Sequence, residues 1–115
     1  MAQARIAAIL GLLTWAGTAA AAPIPLSPEF QVNSFTVGDQ GYPVVCRFGS
    51  GSFVAAWESY LRGGDTRGIA GQRFDSDGQP VGTEFLVNTF TVGGQQLPDI
   101  ACGQDSGFVV VWESL

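Results

Sequence analysis

From residue 29 onward, apolar residues arrive in short runs of strand length, separated by turn-forming residues. Residues 43–48, Pro-Val-Val-Cys-Arg-Phe, read as a strand closed by the hairpin turn Gly49-Ser50-Gly51. Residues 52–59 form a second, whose Phe53-Val54-Ala55-Ala56-Trp57 core is apolar on both faces. Such a strand is sandwiched between layers rather than half exposed. A loop at Gly63-Gly64-Asp65-Thr66 leads to a third strand over 68–75, with Ile69 and Phe74 as its apolar contribution. Asp77-Gly78 suits the positive dihedral angles of a tight hairpin. The fourth strand, 81–88, sets Phe85 and Val87 on one face and Glu84 and Leu86 on the other. A further strand over 30–34 precedes all four.

The pattern then starts again. Glu29-Phe30-Gln31-Val32-Asn33 returns 55 residues later as Glu84-Phe85-Leu86-Val87-Asn88, and Phe35-Thr36-Val37-Gly38 as Phe90-Thr91-Val92-Gly93. Gln40, Pro43, Phe53-Val54 and Trp57-Glu58-Ser59 return as Gln95, Pro98, Phe108-Val109 and Trp112-Glu113-Ser114. Without a gap, 15 of the 32 positions from 29 to 60 are identical, which chance does not produce. The expected organisation is therefore an N-terminal segment, a linker over 22–28, one repeat over 29–83 and a truncated second over 84–115. Four antiparallel strands per unit is the content of a propeller blade, whose repeats run to ~40–50 residues. The expectation is an all-β chain of propeller-blade-like repeats, one complete and one partial; the alternative is a small β-sandwich of about seven strands. Because the second copy stops mid-unit, the pattern predicts either a piece of a larger protein or an edge covered by another chain.

Four motifs carry a resemblance: Glu84 to Thr89, Gly107 to Ser114, Gly68-Ile69-Ala70-Gly71-Gln72-Arg73-Phe74-Asp75, and Gly78-Gln79-Pro80-Val81-Gly82-Thr83-Glu84-Phe85. Together they resemble the tandem β-repeats of large secreted bacterial proteins with propeller-like arrays. The resemblance implies a structural role for the motif residues and no catalytic residue. Members of that family usually hold several units, and this chain departs from the pattern in copy number.

Residues 1–21 are composed differently. Arg5, an apolar run from Ile6 to about Ala16 and the small residues 18–22 follow the order of a secretory signal peptide, with cleavage after Ala21. The apolar run is short of the ~20 residues a membrane span needs. The expected location is secreted or periplasmic, with no membrane contact after cleavage. The whole chain carries ten carboxylates against five arginines, with no lysine or histidine, for a net charge of −5. Such a chain repels nucleic acid, so no nucleic-acid partner is expected. Without histidine or lysine, a Ser-His-Asp triad, a Cys-His pair and a Schiff-base lysine are excluded.

Among the remaining candidates, Cys46 and Cys102 are 56 apart, one more than the period. They therefore lie on opposite faces of equivalent strands, and opposite faces meet where one unit stacks on the next. A disulfide is one expectation, which an exported chain permits; two buried free cysteines is the other. No cofactor or metal is expected. Asp75 and Asp77 match half of a calcium loop, and half is too few ligands, so a polar turn is the favoured reading. Trp57 and Trp112, each followed by a glutamate, invite a sugar-stacking reading, but their apolar strands favour core packing with Phe53, Phe108, Phe74 and Phe85. Arg73 is expected to pair with a nearby carboxylate. Glu58 and Glu113, at equivalent places, are the one pair of carboxylates resembling a glycosidase arrangement. Repetition accounts for them more simply.

The sequence thus predicts an exported, non-catalytic module, a scaffold or a ligand-binding surface built from the loops 60–67 and 103–106. The ligand is unspecified, and further repeats or copies of the chain are the expected partners completing a ring. The alternative is a fragment of a secreted hydrolase or lyase acting on polysaccharide, with its catalytic groups outside this chain.

Overall fold

A computed structural model describes residues 27–60 and 66–115, with Gln3, Arg5, Ile6, Ile9, Leu10, Ile24 and Pro25 ahead of them. Residues 11–21 of the expected leader and 61–65 of the expected loop, Asp65 included, lie outside the described residues. The apolar runs form β1 (Arg5–Ile6), β2 (Ile9–Leu10), β3 (Ile24–Pro25), β4 (Phe30–Gln31), β5 (Gln40–Arg47), β6 (Phe53–Tyr60), β7 (Arg67–Phe74), β8 (Pro80–Leu86), β9 (Gln95–Cys102) and β10 (Phe108–Ser114). The fold is all-β. Strands β5-β6-β7-β8 make a four-stranded antiparallel meander, and β9-β10 a second sheet. Two short pairs, β1-β4 and β2-β3, are the other ladders among the described residues.

Side chains that alternate across β6 build two different faces. Phe53 is in register with Phe74, and Trp57 with Ala70, so these residues share a front face with Ala55. Val32, Ala55, Trp57, Ala70 and Phe74 form the core there, with Phe30 and Phe53 against it. Phe53 and Phe74 stack at 4.9 Å and 13°, and Phe30 is tilted on Phe74 at 5.8 Å. The back face carries Val54, Ala56 and Glu58, with Cys46 opposite Val54. Across it lies β9, packed against β5, β6 and β7. The apolar-on-both-faces reading of residues 53–57 is met by a layer on each side.

Two boundaries of the expected strands move by three residues, and the others by two at most. The first strand starts at Gln40 rather than Pro43, because the chain passes through a bulge. Register steps from Gly41 opposite Glu58 to Val44 opposite Ala56, so one extra residue is absorbed at Tyr42-Pro43. A proline cannot donate to the ladder, which makes it suited to this point. The same step recurs in the second sheet between Gln96 opposite Glu113 and Asp99 opposite Val111. Tyr42 and Leu97 take the positive φ values 48° and 53° there. The expected strand 30–34 is a strand only at Phe30–Gln31. Beyond it Asn33 Nδ2 donates to the Phe35 carbonyl at 2.9 Å and turns the chain, as Asn88 Nδ2 does to Phe90 at 2.8 Å.

Further contacts recur 55 residues apart. Trp57 Nε1 donates to Gln40 Oε1 at 3.0 Å, and Trp112 Nε1 to Gln95 Oε1 at 2.9 Å. Gln40 and Gln95 in turn donate to the carbonyls of Val37 and Val92. Gly38 and Gly93 both have φ of 73°. A Cβ on Gly38 would stand 2.7 Å from the Tyr60 carbonyl oxygen, so this turn admits only glycine. The environments nevertheless differ: Trp57 is 0% exposed and Trp112 37%. Trp57→Ala is expected to cost about 3–5 kcal/mol by cavity formation and loss of the Gln40 bond. Trp112→Ala should cost clearly less, and urea denaturation of the two variants checks the difference.

Candidate functional site

The junction between the two sheets concentrates most of the polar chemistry. The bulge lifts the Leu97 amide out of the β9-β10 ladder, and Glu58 on the back of the first sheet takes it, with Leu97 N donating to Oε1 at 2.7 Å. The other Glu58 oxygen lies 3.6 Å from Arg67 Nη1. Arg67 Nη1 also donates to Gln96 Oε1 at 3.4 Å, and Gln96 Nε2 to Glu113 Oε2 at 3.1 Å. Glu58, Arg67, Gln96 and Glu113 therefore form one polar chain across the junction. The two equivalent glutamates do not face each other across a shared space; two other side chains separate them.

Glu84 performs a similar task on the front face. Its Oε2 accepts from Ser34 N at 2.7 Å, Ser34 Oγ at 2.9 Å and Phe35 N at 3.2 Å. Charge-assisted bonds of this kind are roughly twice as strong as neutral ones. They clamp the incoming segment 29–35 on the sheet. At the far rim Arg73 lies over the Phe108 ring at 4.7 Å and the Phe48 ring at 5.9 Å, with Nη1 and Nη2 both 3.3 Å from the Ser106 carbonyl. Its expected carboxylate partner is replaced by these contacts. Asp75 Oδ1 instead accepts from Asp77 N at 2.9 Å and Gln79 N at 2.8 Å in its own turn. A cation over a ring and a carbonyl fastens the second sheet to the first.

Beside the Glu58 end opens a groove of about 820 Å³ with Asp39, Tyr42, Glu58, Tyr60 and Arg67 in its wall. A smaller hollow of about 250 Å³ follows it past Arg67 to Gln96 and Leu115. Both tyrosines are exposed, which gives the groove ring faces as well as a carboxylate-guanidinium pair. That combination can stack on and hydrogen-bond a polyhydroxylated ligand. Tyr60 and Arg67 bound the expected binding loop 60–67, of which residues 61–65 are outside the described set. Set against protein-family models, curated proteins and solved structures, the chain matches none.

The other residues singled out in the sequence are distributed as follows. Cys46 and Cys102 are joined in a disulfide with Cα atoms 5.6 Å apart, one from the back face of the first sheet and one from the front of the second. The two free cysteines of the alternative reading are thereby replaced. Asp75 and Asp77 sit in a hairpin turn; among the described residues no group of three or more His, Cys, Asp or Glu side chains is placed to hold a metal. Trp57 offers no face to a ligand. Phe85 lies over Gly71 and is tilted on Phe108 at 6.3 Å, so these two rings belong to the junction. Residues 103–106 are exposed, with the Ser106 carbonyl held by Arg73. Sequence reading missed the roles of Glu58 and Glu84, whose partners lie 39 and 50 residues away. Their repetition was the available signal.

The disulfide closes a loop of 56 residues. On the chain-entropy account such a loop contributes about 4 kcal/mol. Cys46→Ala with Cys102→Ala is expected to lower unfolding stability by up to that amount, measured by denaturant titration. A change below about 1 kcal/mol would show that the junction does not depend on the bond.

Proposed function

We propose that this chain is an exported, non-catalytic β-repeat module whose units stack in the manner of propeller blades to form a rigid scaffold. The observation that carries the reading is the use made of the repeated polar residues. Glu58, Glu84, Gln40 and Asn88 are engaged in holding strand to strand or unit to unit, and so are not disposed around a common reaction centre. A meander of four antiparallel strands, followed by a second sheet stacked on its back face, is the arrangement expected of successive blades. Asn33 adds to this. Asn88 Oδ1 accepts the Ile69 amide of β7 at 2.7 Å, whereas the buried Asn33 Oδ1 has no hydrogen-bond partner among the described residues. Residues 29–35 thus have the character of a fourth strand next to the place of a third.

Export is supported by the leader-like composition of residues 1–21 and by the paired cysteines. Among the described residues no helix is long and apolar enough to cross a membrane. On this reading the scaffold holds the Tyr42-Tyr60 groove open as the ligand-facing surface. The test is to express the full chain in a bacterial host and determine the mass and N-terminal residue of the material outside the cytoplasm. The expected product begins at Ala22 and contains no free thiol. Material confined to the cytoplasm with both thiols reduced would refute the export reading.

A further inference from the structure

Each half of the junction that joins the two units also exists, uncovered, at an end of this chain. On the back of the first sheet Val54 and Ala56 are 0% and 1% exposed beneath β9, while their equivalents Val109 and Val111 on the second sheet are 63% and 58% exposed. Glu58 is buried on the Leu97 amide; Glu113, its equivalent, is exposed. The complementary surface is the front of an inner strand. In β9 the prolyl residue of the bulge, Pro98, is buried and Ile100 half-buried against the first sheet. Their equivalents in β5, Pro43 and Val45, are exposed. The chain therefore displays an unused donor face and an unused acceptor face of an interface whose geometry it already contains.

We infer that the chain docks head to tail on a second copy of itself, with the back of the β9-β10 sheet of one copy seated on the front of β5 of the next. This rests on the stacked-unit reading above, since it repeats the intrachain junction between copies. A single displacement of 55 positions places every partner. Val109 and Val111 of one copy then meet Pro43 and Val45 of the other, as Val54 and Ala56 meet β9. Glu113 falls where the Tyr42 amide of the next copy stands, because Tyr42 has the positive φ and the bulge position of Leu97. The third contact comes from the clamp. Glu84 grips Ser34-Phe35, so Glu29 of one copy, exposed in the structure, falls on the exposed Thr89-Phe90 of the other. An apolar patch and two carboxylates thus agree on one occupant. The surfaces that meet are different, which makes the contact heterologous, and such contacts build closed rings or filaments.

The disulfide supplies the test, because its positions shift with the same displacement. The equivalent of Cys46 in the second unit is Ala101, and that of Cys102 in the first unit is Arg47. Both are exposed. Ala101→Cys and Arg47→Cys are prepared as separate variants of the full chain, mixed and oxidised with glutathione disulfide, and the products are mapped by peptide mass spectrometry. Arg47→Cys is replaced by Ser50→Cys in a control mixture, since Ser50 is exposed on the neighbouring turn. The expected result is a covalent dimer linked 101 to 47, in clear excess over the control, with Cys46–Cys102 intact in each chain. An intact native disulfide with no excess of the 101–47 link would overturn the docking and leave the stacked-unit reading standing. Loss or mispairing of Cys46–Cys102 in the unmodified chain would overturn both.

Discussion

A β-sheet with two apolar faces must be covered twice, and most of this structure follows from how that is done. The strand Phe53–Tyr60 points Phe53, Ala55 and Trp57 one way and Val54, Ala56 and Glu58 the other. Burying a valine or larger side chain contributes about 1.5–3 kcal/mol, so leaving either face in water would be costly for a sheet of four strands. Segment 29–35 covers the front with Phe30 and Val32, and β9 covers the back. The four-stranded sheet therefore depends on the segment before it and on the sheet after it. Neighbour interfaces of this kind are what contribute much of the stability wherever sheets or units stack in series.

The polar residues are subordinate to that stacking. A bulge with a positive-φ residue next to proline interrupts the ladder in both sheets, and it would leave an amide without a strand partner. A buried polar group left unpaired costs about 1–3 kcal/mol. The buried Glu58 avoids that penalty by accepting from the Leu97 amide, and Arg67 balances the carboxylate so placed. Glu84 satisfies two amides and a hydroxyl in the turn at Ser34-Phe35. The buried Trp57 indole is satisfied by Gln40, which sits at the start of the adjacent strand because the bulge lets β5 continue past Pro43. Bulge, glutamine and glutamate are thus one device, and their joint repetition is intelligible on that basis.

Much of the fold could be read from residue order because local signals agreed. The glycine-rich turn after Phe48 and the Asp77-Gly78 hairpin fell where hydrogen bonds close them, at Phe48 N to the Ser52 carbonyl and Asp75 N to the Gln79 carbonyl. The one-residue excess in the cysteine spacing over the repeat gave the opposite-face geometry that brings Cys46 and Cys102 together. Other features were not legible. Pro43 looks like a strand boundary in sequence, and only the register with β6 shows it to be a bulge. Arg73 has Asp75 two positions away, yet that carboxylate is already engaged by its own turn and the guanidinium finds the Phe108 ring 35 residues along. The groove beside Tyr42 and Tyr60 is assembled from three separate stretches of chain, which no local pattern announces.

If the second unit covers the back of the first through specific contacts rather than by loose association, the Leu97 amide is where this must show. It lies in the bulge, outside the β9-β10 ladder, and its hydrogen-bond acceptor is Glu58 across the junction. Residue-resolved hydrogen exchange should find Leu97 protected to nearly the same free energy as the amides of Val54 and Ala56, opening only with the sheet beneath it. Exchange of Leu97 at the rate of an exposed loop amide, while Val54 and Ala56 remain protected, would contradict the stacked junction.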